Sequence, residues 1–161
     1  MNGMQAKKLQ LSPSLSLQTL DHLDHDDLVL WIASDERPLK AAAGYVDWRC
    51  NGWLSRLVTS GQFRCERGEQ LLTLSQGRLR AKRVFLVGLG EQKSFHSRGA
   101  EEIGALSAKM LVSAAASDIA LGLPGTGDAD AHAELLQTVL RTLQQEPRSA
   151  KMTAWGPWRK M

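Results

Sequence analysis

Runs of apolar, β-forming residues constrain the fold of this chain more than any other feature. Three runs are apolar at nearly every position, namely 27–33 (DLVLWIA), 83–89 (RVFLVGL) and 118–123 (DIALGL). Continuous rather than alternating hydrophobicity is typical of strands that are covered on both faces, as in a parallel sheet. Weaker strand patterns lie at 8–17, 71–75 and 148–155. The first of them is interrupted by Pro13 and predicts an edge strand or two short extended pieces.

Amphipathic segments between these runs predict helices. Apolar residues recur at helical spacing over 41–60, 100–115 and 129–145. Strands that alternate with helices predict a three-layer α/β/α domain, with a mixed, mostly parallel sheet and helices on both faces. The chain has 161 residues and shows neither an internal repeat nor a long linker, so we expect residues 1–161 to form a single domain.

The composition excludes several classes of protein. No apolar run approaches the ~20 residues of a membrane span, and no secretory signal is visible, so we expect a cytoplasmic protein with no membrane partner.

The two isolated cysteines fit neither a disulfide framework nor a metal knuckle. Cys50 falls on an apolar helical stripe, whereas Cys65 lies between Arg64 and Arg67, whose charge could lower the pKa of its thiol. No neighbouring histidine could serve as its base, so we predict no catalytic residue.

The charge distribution is uneven along the chain. Residues 18–36 carry six acidic and no basic residues, while residues 37–83 carry ten basic and three acidic ones. The basic segment could contact phosphates, or it could lie folded beside the acidic segment. It lacks interleaved aromatic residues and any groove-reading motif, so nucleic-acid binding is expected to be absent or weak and electrostatic.

The acidic segment also has the composition of a metal site. His22 and His25 stand among aspartates, and imidazole with carboxylate can share a divalent ion. No helical or hairpin pattern brings these side chains together, so an acidic, solvated turn is the preferred interpretation. We predict no metal site and no cofactor.

A series of short motifs in the middle of the chain points to a family. In order they are SDERPL (34–39), AG (43–44), VDWR (46–49), NG (51–52), LSRL (54–57), SGQF (60–63), GE (68–69) and KRVFLVGLG (82–90). Together they resemble the N-terminal domain of the leucyl aminopeptidase family, the dizinc metallopeptidases, over about residues 27–124. The resemblance implies a macrodomain-like α/β/α fold, in agreement with the order of strands and helices.

The same resemblance implies that the catalytic half is missing. In the family, the zinc ligands and peptide hydrolysis belong to a separate C-terminal domain with an NTDAEGR-type signature. This sequence contains no such signature. We therefore expect a chain that is not an enzyme.

A glycine-rich turn follows the strand pattern at 118–123. Such a turn, placed between a buried strand and a helix, can cradle a phosphate, and it is loosely similar to a phosphate loop of macrodomains that bind ADP-ribose. The candidate ligand-binding residues are Asp35, Gly122, Gly125, Thr126 and Gly127. Asp128 and Asp130 would repel an anion there and are better explained as helix-capping residues.

Two tryptophans near the C-terminus are the remaining candidate functional residues. Trp155 and Trp158 either pack on the domain itself or form a protein interface. The preferred function is that of a stand-alone, non-catalytic domain that acts as a protein-interaction, assembly or regulatory module, with a protein partner or self-association. The alternatives are a macrodomain-like binder of an ADP-ribose-type nucleotide and a weak electrostatic binder of nucleic acid.

Overall fold

The computed structural model describes residues 9–12, 15–147 and 150–156. Its strands are β1 (Leu9–Leu11), β2 (Asp27–Ala33), β3 (Gln70–Leu74), β4 (Arg83–Gly90), β5 (Asp118–Gly122) and β6 (Lys151–Trp155). Its α-helices are α1 (Leu17–His22), α2 (Ala41–Arg49), α3 (Trp53–Thr59), α4 (Ser97–Ser113) and α5 (Ala129–Gln144). A short 3-10 turn, Gln92–Ser94, precedes α4.

The strands form one mixed sheet in the order β1-β6-β5-β2-β4-β3. Every neighbouring pair is parallel except β3 and β4, which run antiparallel. The continuous apolar runs occupy three adjacent interior strands, β5, β2 and β4, where both faces of the sheet are covered. The predicted mixed, mostly parallel sheet is therefore confirmed.

Two hydrophobic cores lie on opposite faces of the sheet. Alternate residues of β2 point into each, so that Val29 and Trp31 face α4 and α5, while Leu30 and Ile32 face α2 and α3. The indole nitrogen of Trp31 donates a hydrogen bond to the Ser107 hydroxyl on α4 (2.9 Å), which satisfies its polar atom within the core. The result is the expected three-layer α/β/α arrangement.

Two local expectations need correction. The single helix predicted over 41–60 is divided into α2 and α3, because Asn51 and Gly52 adopt left-handed backbone conformations (φ 54° and 77°) that a continuous helix cannot contain. Among its described residues, the extended segment predicted over 8–17 supplies only the short edge strand β1. Leu17 instead begins α1, which Ser16 caps by accepting a hydrogen bond from the Thr19 backbone N–H (3.1 Å).

Candidate functional site

The loops after β2, β4 and β5 meet at the carboxyl edge of the sheet, where the sequence places its ligand-binding candidates. Asp35, just after β2, accepts a hydrogen bond from the backbone N–H of Gln92 (2.9 Å) and so joins the first two loops. Thr126, in the loop after β5, accepts a hydrogen bond through its carbonyl from His132 Nε2 (2.7 Å). Asp128 caps α5 by accepting from the backbone N–H of Ala131 (2.8 Å), as expected.

The three candidate glycines allow close packing between these loops. A Cβ on Gly122 would come within 2.6 Å of Leu30, and one on Gly127 within 2.7 Å of Phe95. A Cβ on Gly125 would lie 2.7 Å from Oε1 of Glu36. Side chains of the protein itself therefore occupy the space beside each glycine, and the loop is packed against them.

Glu36 is the most unusual residue of this edge, and sequence reasoning missed it. Its side chain is 1% exposed, and neither carboxylate oxygen has a hydrogen-bond partner among the described residues. Burial raises the pKa of its carboxyl group from the ordinary value of 4.5 to about 7, although the nearby Lys40 and Arg37 act in the opposite direction. Glu36 belongs to an acidic segment, and composition gives no sign that it is buried.

Cys65 differs from expectation. The thiol is fully buried, and burial raises its pKa to about 11 despite the nearby positive charge of Arg37. The neighbouring Arg64 is exposed and pairs with Glu66 (3.8 Å). The predicted lowering of the thiol pKa is therefore wrong, because desolvation outweighs the positive charge. Cys50 is buried as expected.

The acidic and basic segments pair with each other across the fold. Four aspartates from 18–36 form ion pairs with basic residues from 37–83, namely Asp21–Arg49, Asp24–Arg80, Asp26–Lys82 and Asp27–Arg83. The Asp27–Arg83 pair is bidentate, with distances of 2.6 and 2.7 Å, and its carboxylate is buried. Part of the basic surface that a polyanion would need is thus neutralised by the chain itself.

His25 and His22 point in different directions. His22 Nδ1 bonds the carbonyl of Gln18 on its own helix (2.6 Å). His25 is buried and bridges two strands, with Nδ1 2.7 Å from Asp118 and Nε2 2.9 Å from the Thr153 hydroxyl. Across the described ranges, no three His, Cys, Asp or Glu side chains converge as metal ligands.

The Asp118–His25–Thr153 network has the carboxylate–imidazole–hydroxyl order of hydrolytic relays. Thr153, however, lies in the middle of β6 and is itself buried. Nothing in the sequence indicates this network, because its members are 93 and 128 residues apart. We interpret it as a structural link between the amino end of β2 and strands β5 and β6.

The candidate interface residue Trp155 lies inside the protein. Its side chain is fully buried, its indole nitrogen donates to the Thr19 hydroxyl (2.8 Å), and its ring lies 6.1 Å from that of Tyr45. An interface role for Trp155 is therefore wrong, and the alternative of packing on the domain applies. Trp158 lies outside the described residues.

Large apolar side chains are exposed at Trp48 on α2 (68%), at Leu11 on β1 and as a group on β3 and α4. Leu72 and Leu74 on β3 are 47% and 60% exposed, and Leu106 on α4 is 40% exposed. A groove of about 520 Å³ runs between the two elements, and Leu72, Leu106, Met110 and the edge of Phe85 are among its lining residues. No sequence motif marked this surface, because Leu72 and Leu74 belong to an ordinary alternating strand. No helix in the described part of the chain is long and apolar enough to cross a membrane.

Comparison with known proteins identifies the fold and the family. The model of the cytosol aminopeptidase family, N-terminal domain, matches residues 29–146. A probable cytosol aminopeptidase of Halorhodospira halophila is 32% identical over 125 residues, which covers 71% of this chain and 25% of that protein. A second, from Sulfurihydrogenibium sp., is 27% identical over 84 residues, or 52% and 17% of the two chains.

Solved structures agree in fold. A tomato leucine aminopeptidase mutant superposes with a TM-score of 0.61 at 18% identity, covering 95% of this chain and 33% of that one. The macrodomain of Mycobacterium tuberculosis DarG gives 0.66 at 13% identity, covering 94% and 99%. A Trypanosoma brucei macrodomain in complex with ADP-ribose also gives 0.66, at 15% identity, covering 91% and 62%. These likenesses confirm the macrodomain-like fold.

The matched region corresponds to only one part of each aminopeptidase. The chain spans about a quarter or less of the length of these curated relatives. The motifs from residues 34 to 90 lie within the region that the family model matches. The chain belongs to the cytosol aminopeptidase family, whose N-terminal domain it carries.

Proposed function

We propose that this chain is a non-catalytic, cytoplasmic protein-interaction module that self-associates or holds a protein partner. The proposal rests on the apolar surface on β3 and α4, which is formed by Leu72, Leu74 and Leu106. Large side chains exposed together at a sheet edge are characteristic of interaction sites. Cytosolic location is suggested by the names of the curated relatives.

The absence of catalysis is proposed on two grounds. The family match is to the N-terminal domain, whereas the resemblance assigns zinc binding to a different domain. Within the described ranges, the cysteines are buried and the histidines do not converge on a metal site. A leucine-anilide assay of the purified protein with added Zn²⁺ or Mn²⁺ is expected to show no turnover. Turnover that survives repurification and is abolished by chelation would contradict the proposal.

The mass of the particles that the chain forms in solution tests the proposed interaction. The chain is expected to form complexes larger than its own 17.7 kDa, either when pure or in the presence of host lysate. Replacing Leu74 by Lys is expected to weaken them, because a charge would then lie within the apolar surface. A chain that stays monomeric under both conditions would contradict the proposal.

The nucleotide-binding alternative is supported less well by the geometry. Its candidate residues are Asp35, Gly122, Gly125, Thr126 and Gly127. The Asp35 carboxylate already accepts a hydrogen bond from the chain, and side chains of the domain lie against the glycines.

A further inference from the structure

We propose that two copies of this chain pair through β3, in antiparallel orientation about a two-fold axis at Leu72, so that their sheets join into one. The inference rests on the proposed function, because it names the occupant of the β3 and α4 surface. The occupant is a second copy, and the register follows from the hydrogen-bonding pattern of β3.

Strand β3 presents an open backbone edge. It pairs with β4 on one side, and in the described part of the chain no strand lies on its other side. The bonds to β4 at the two ends of the strand involve Glu69 and Ser75, through Gly88 N–H to Glu69 O (2.8 Å) and Ser75 N–H to Lys82 O (2.9 Å). Because bonding alternates along an antiparallel pair, the N–H and C=O groups of Gln70, Leu72 and Leu74 point away from β4.

Within β3 itself this edge lacks the features that prevent strand addition, although a bulge at Gly68 and Glu69, opposite Gly88, immediately precedes the strand. Natural edge strands are protected by charged residues, prolines or bulges. Residues 70–75 (QLLTLS) contain no charged residue and no proline, and the pairing of β3 with β4 is regular over all five residues. The edge is therefore competent to accept another strand.

The outward-pointing groups determine the register. In an antiparallel pair, residues that point outward on one strand must face residues that point outward on the other. A two-fold axis at Leu72 places Leu72 opposite its own copy and Gln70 opposite Leu74, which uses all three outward residues of each strand. An axis moved by one residue would pair only two of them within β3. The central register thus gives about six intermolecular backbone hydrogen bonds.

Side chains also favour this arrangement. Gln70, Leu72 and Leu74 lie on the α4 face, and the Gln70 amide donates to the carbonyl of Leu106 on α4 (3.1 Å). Opposite residues in adjacent strands have Cβ atoms about 5 Å apart. Leu74 of the second copy therefore lies beside Gln70, at the end of the groove that contains Leu106.

Charge adds a weaker preference for the antiparallel orientation. The segment after β3 carries Arg78, Arg80 and Lys82, although Arg80 and Lys82 are partly compensated by Asp24 and Asp26 of the same chain. Parallel pairing would place these two basic segments side by side, whereas antiparallel pairing puts them at opposite ends of the joined strands. Like charges directly opposite each other destabilise a strand pair.

Cysteine cross-linking tests the register. The Cα atoms of the paired residue 72 would be about 5.5 Å apart, within the range that a disulfide spans. Leu72→Cys is expected to give a reducible covalent dimer under mild oxidation. Leu11→Cys is the matched control, because Leu11 is similarly exposed (54%) on β1 at the opposite edge, and it is expected to cross-link far less. Native Cys50 and Cys65 are buried and should not interfere.

A charge variant provides a second test. Leu72→Lys would place two ammonium groups opposite each other and is expected to be monomeric, while Leu11→Lys stays dimeric; circular dichroism checks that both are folded. A dimer that survives Leu72→Lys, or that cross-links no better at residue 72 than at residue 11, overturns this inference but not the proposed function. A chain that is monomeric when pure but binds a different protein also overturns this inference and leaves the proposed function intact. A monomer without any partner overturns both.

Discussion

The buried carboxyl group of Glu36 makes the stability of this protein depend on pH. In the folded state its pKa is raised to about 7, whereas in the unfolded chain it returns to about 4.5. The folded state therefore binds this proton more tightly, and the contribution of Glu36 to the free energy of unfolding falls as pH rises from 4.5 to 7. At about 1.36 kcal/mol for each pH unit, the full effect is about 3 kcal/mol.

Glu36→Gln removes the ionisation and nearly preserves the shape. Between about pH 5 and about pH 8, we expect the unfolding free energy of the variant to fall much less than that of the native protein. The variant should therefore be the more stable of the two near pH 8. The gain will be smaller than 3 kcal/mol, because the buried amide also needs hydrogen-bond partners. Glu101→Gln is a suitable control, since Glu101 is exposed on α4.

Urea denaturation followed by tryptophan fluorescence at several pH values measures this effect. The native protein and Glu101→Gln should share a steep decline of unfolding free energy, and Glu36→Gln should have a shallower one. Equal slopes of unfolding free energy against pH in all three proteins would contradict this prediction. They would mean that the Glu36 carboxyl titrates at the same pH in the folded and the unfolded chain.

Two further predictions concern the polar network and the glycine-rich loop. His25→Ala leaves the partly buried Asp118 carboxylate and the buried Thr153 hydroxyl without their imidazole partner. We therefore expect it to lower the unfolding free energy by about 1–3 kcal/mol. The control His22→Ala, at the exposed end of α1, should cost less than about 0.5 kcal/mol. A similar loss in both variants would contradict this account of the network. ADP-ribose is expected to leave the melting temperature unchanged, because the loop after β5 is packed against Glu36, and a saturable rise would instead support a nucleotide site.

The order of strands and helices was predictable because it depends on local hydrophobic pattern. The apolar runs became the adjacent interior strands β5, β2 and β4, and the helical stripes at 100–115 and 129–145 became α4 and α5. Helix α1 was missed because it is only six residues long and begins at a capping box rather than within a long amphipathic stripe. The break after α2 depends on two left-handed residues, which no hydrophobic pattern reports.

The site was less predictable because it depends on contacts distant in sequence. Asp35 and the glycines were placed correctly at the carboxyl edge of the sheet, since strand ends locate them. The burial of Glu36 follows from its packing against a loop almost ninety residues away. Trp155 was offered as an interface residue because it is near the C-terminus, yet β6 lies between β1 and β5, where its side chain is covered.

Sedimentation of the fluorescently labelled chain in host lysate detects both self-association and binding of a different protein, and so tests whether the chain is an interaction module. We expect the native chain to sediment faster than a 17.7 kDa monomer. We expect Leu72→Lys to shift it back toward the monomer, whereas Leu11→Lys should not. If the native chain sediments as a monomer at every concentration in lysate, the proposal that it is an interaction module is contradicted. Faster sedimentation that neither variant alters would place the interface away from β3.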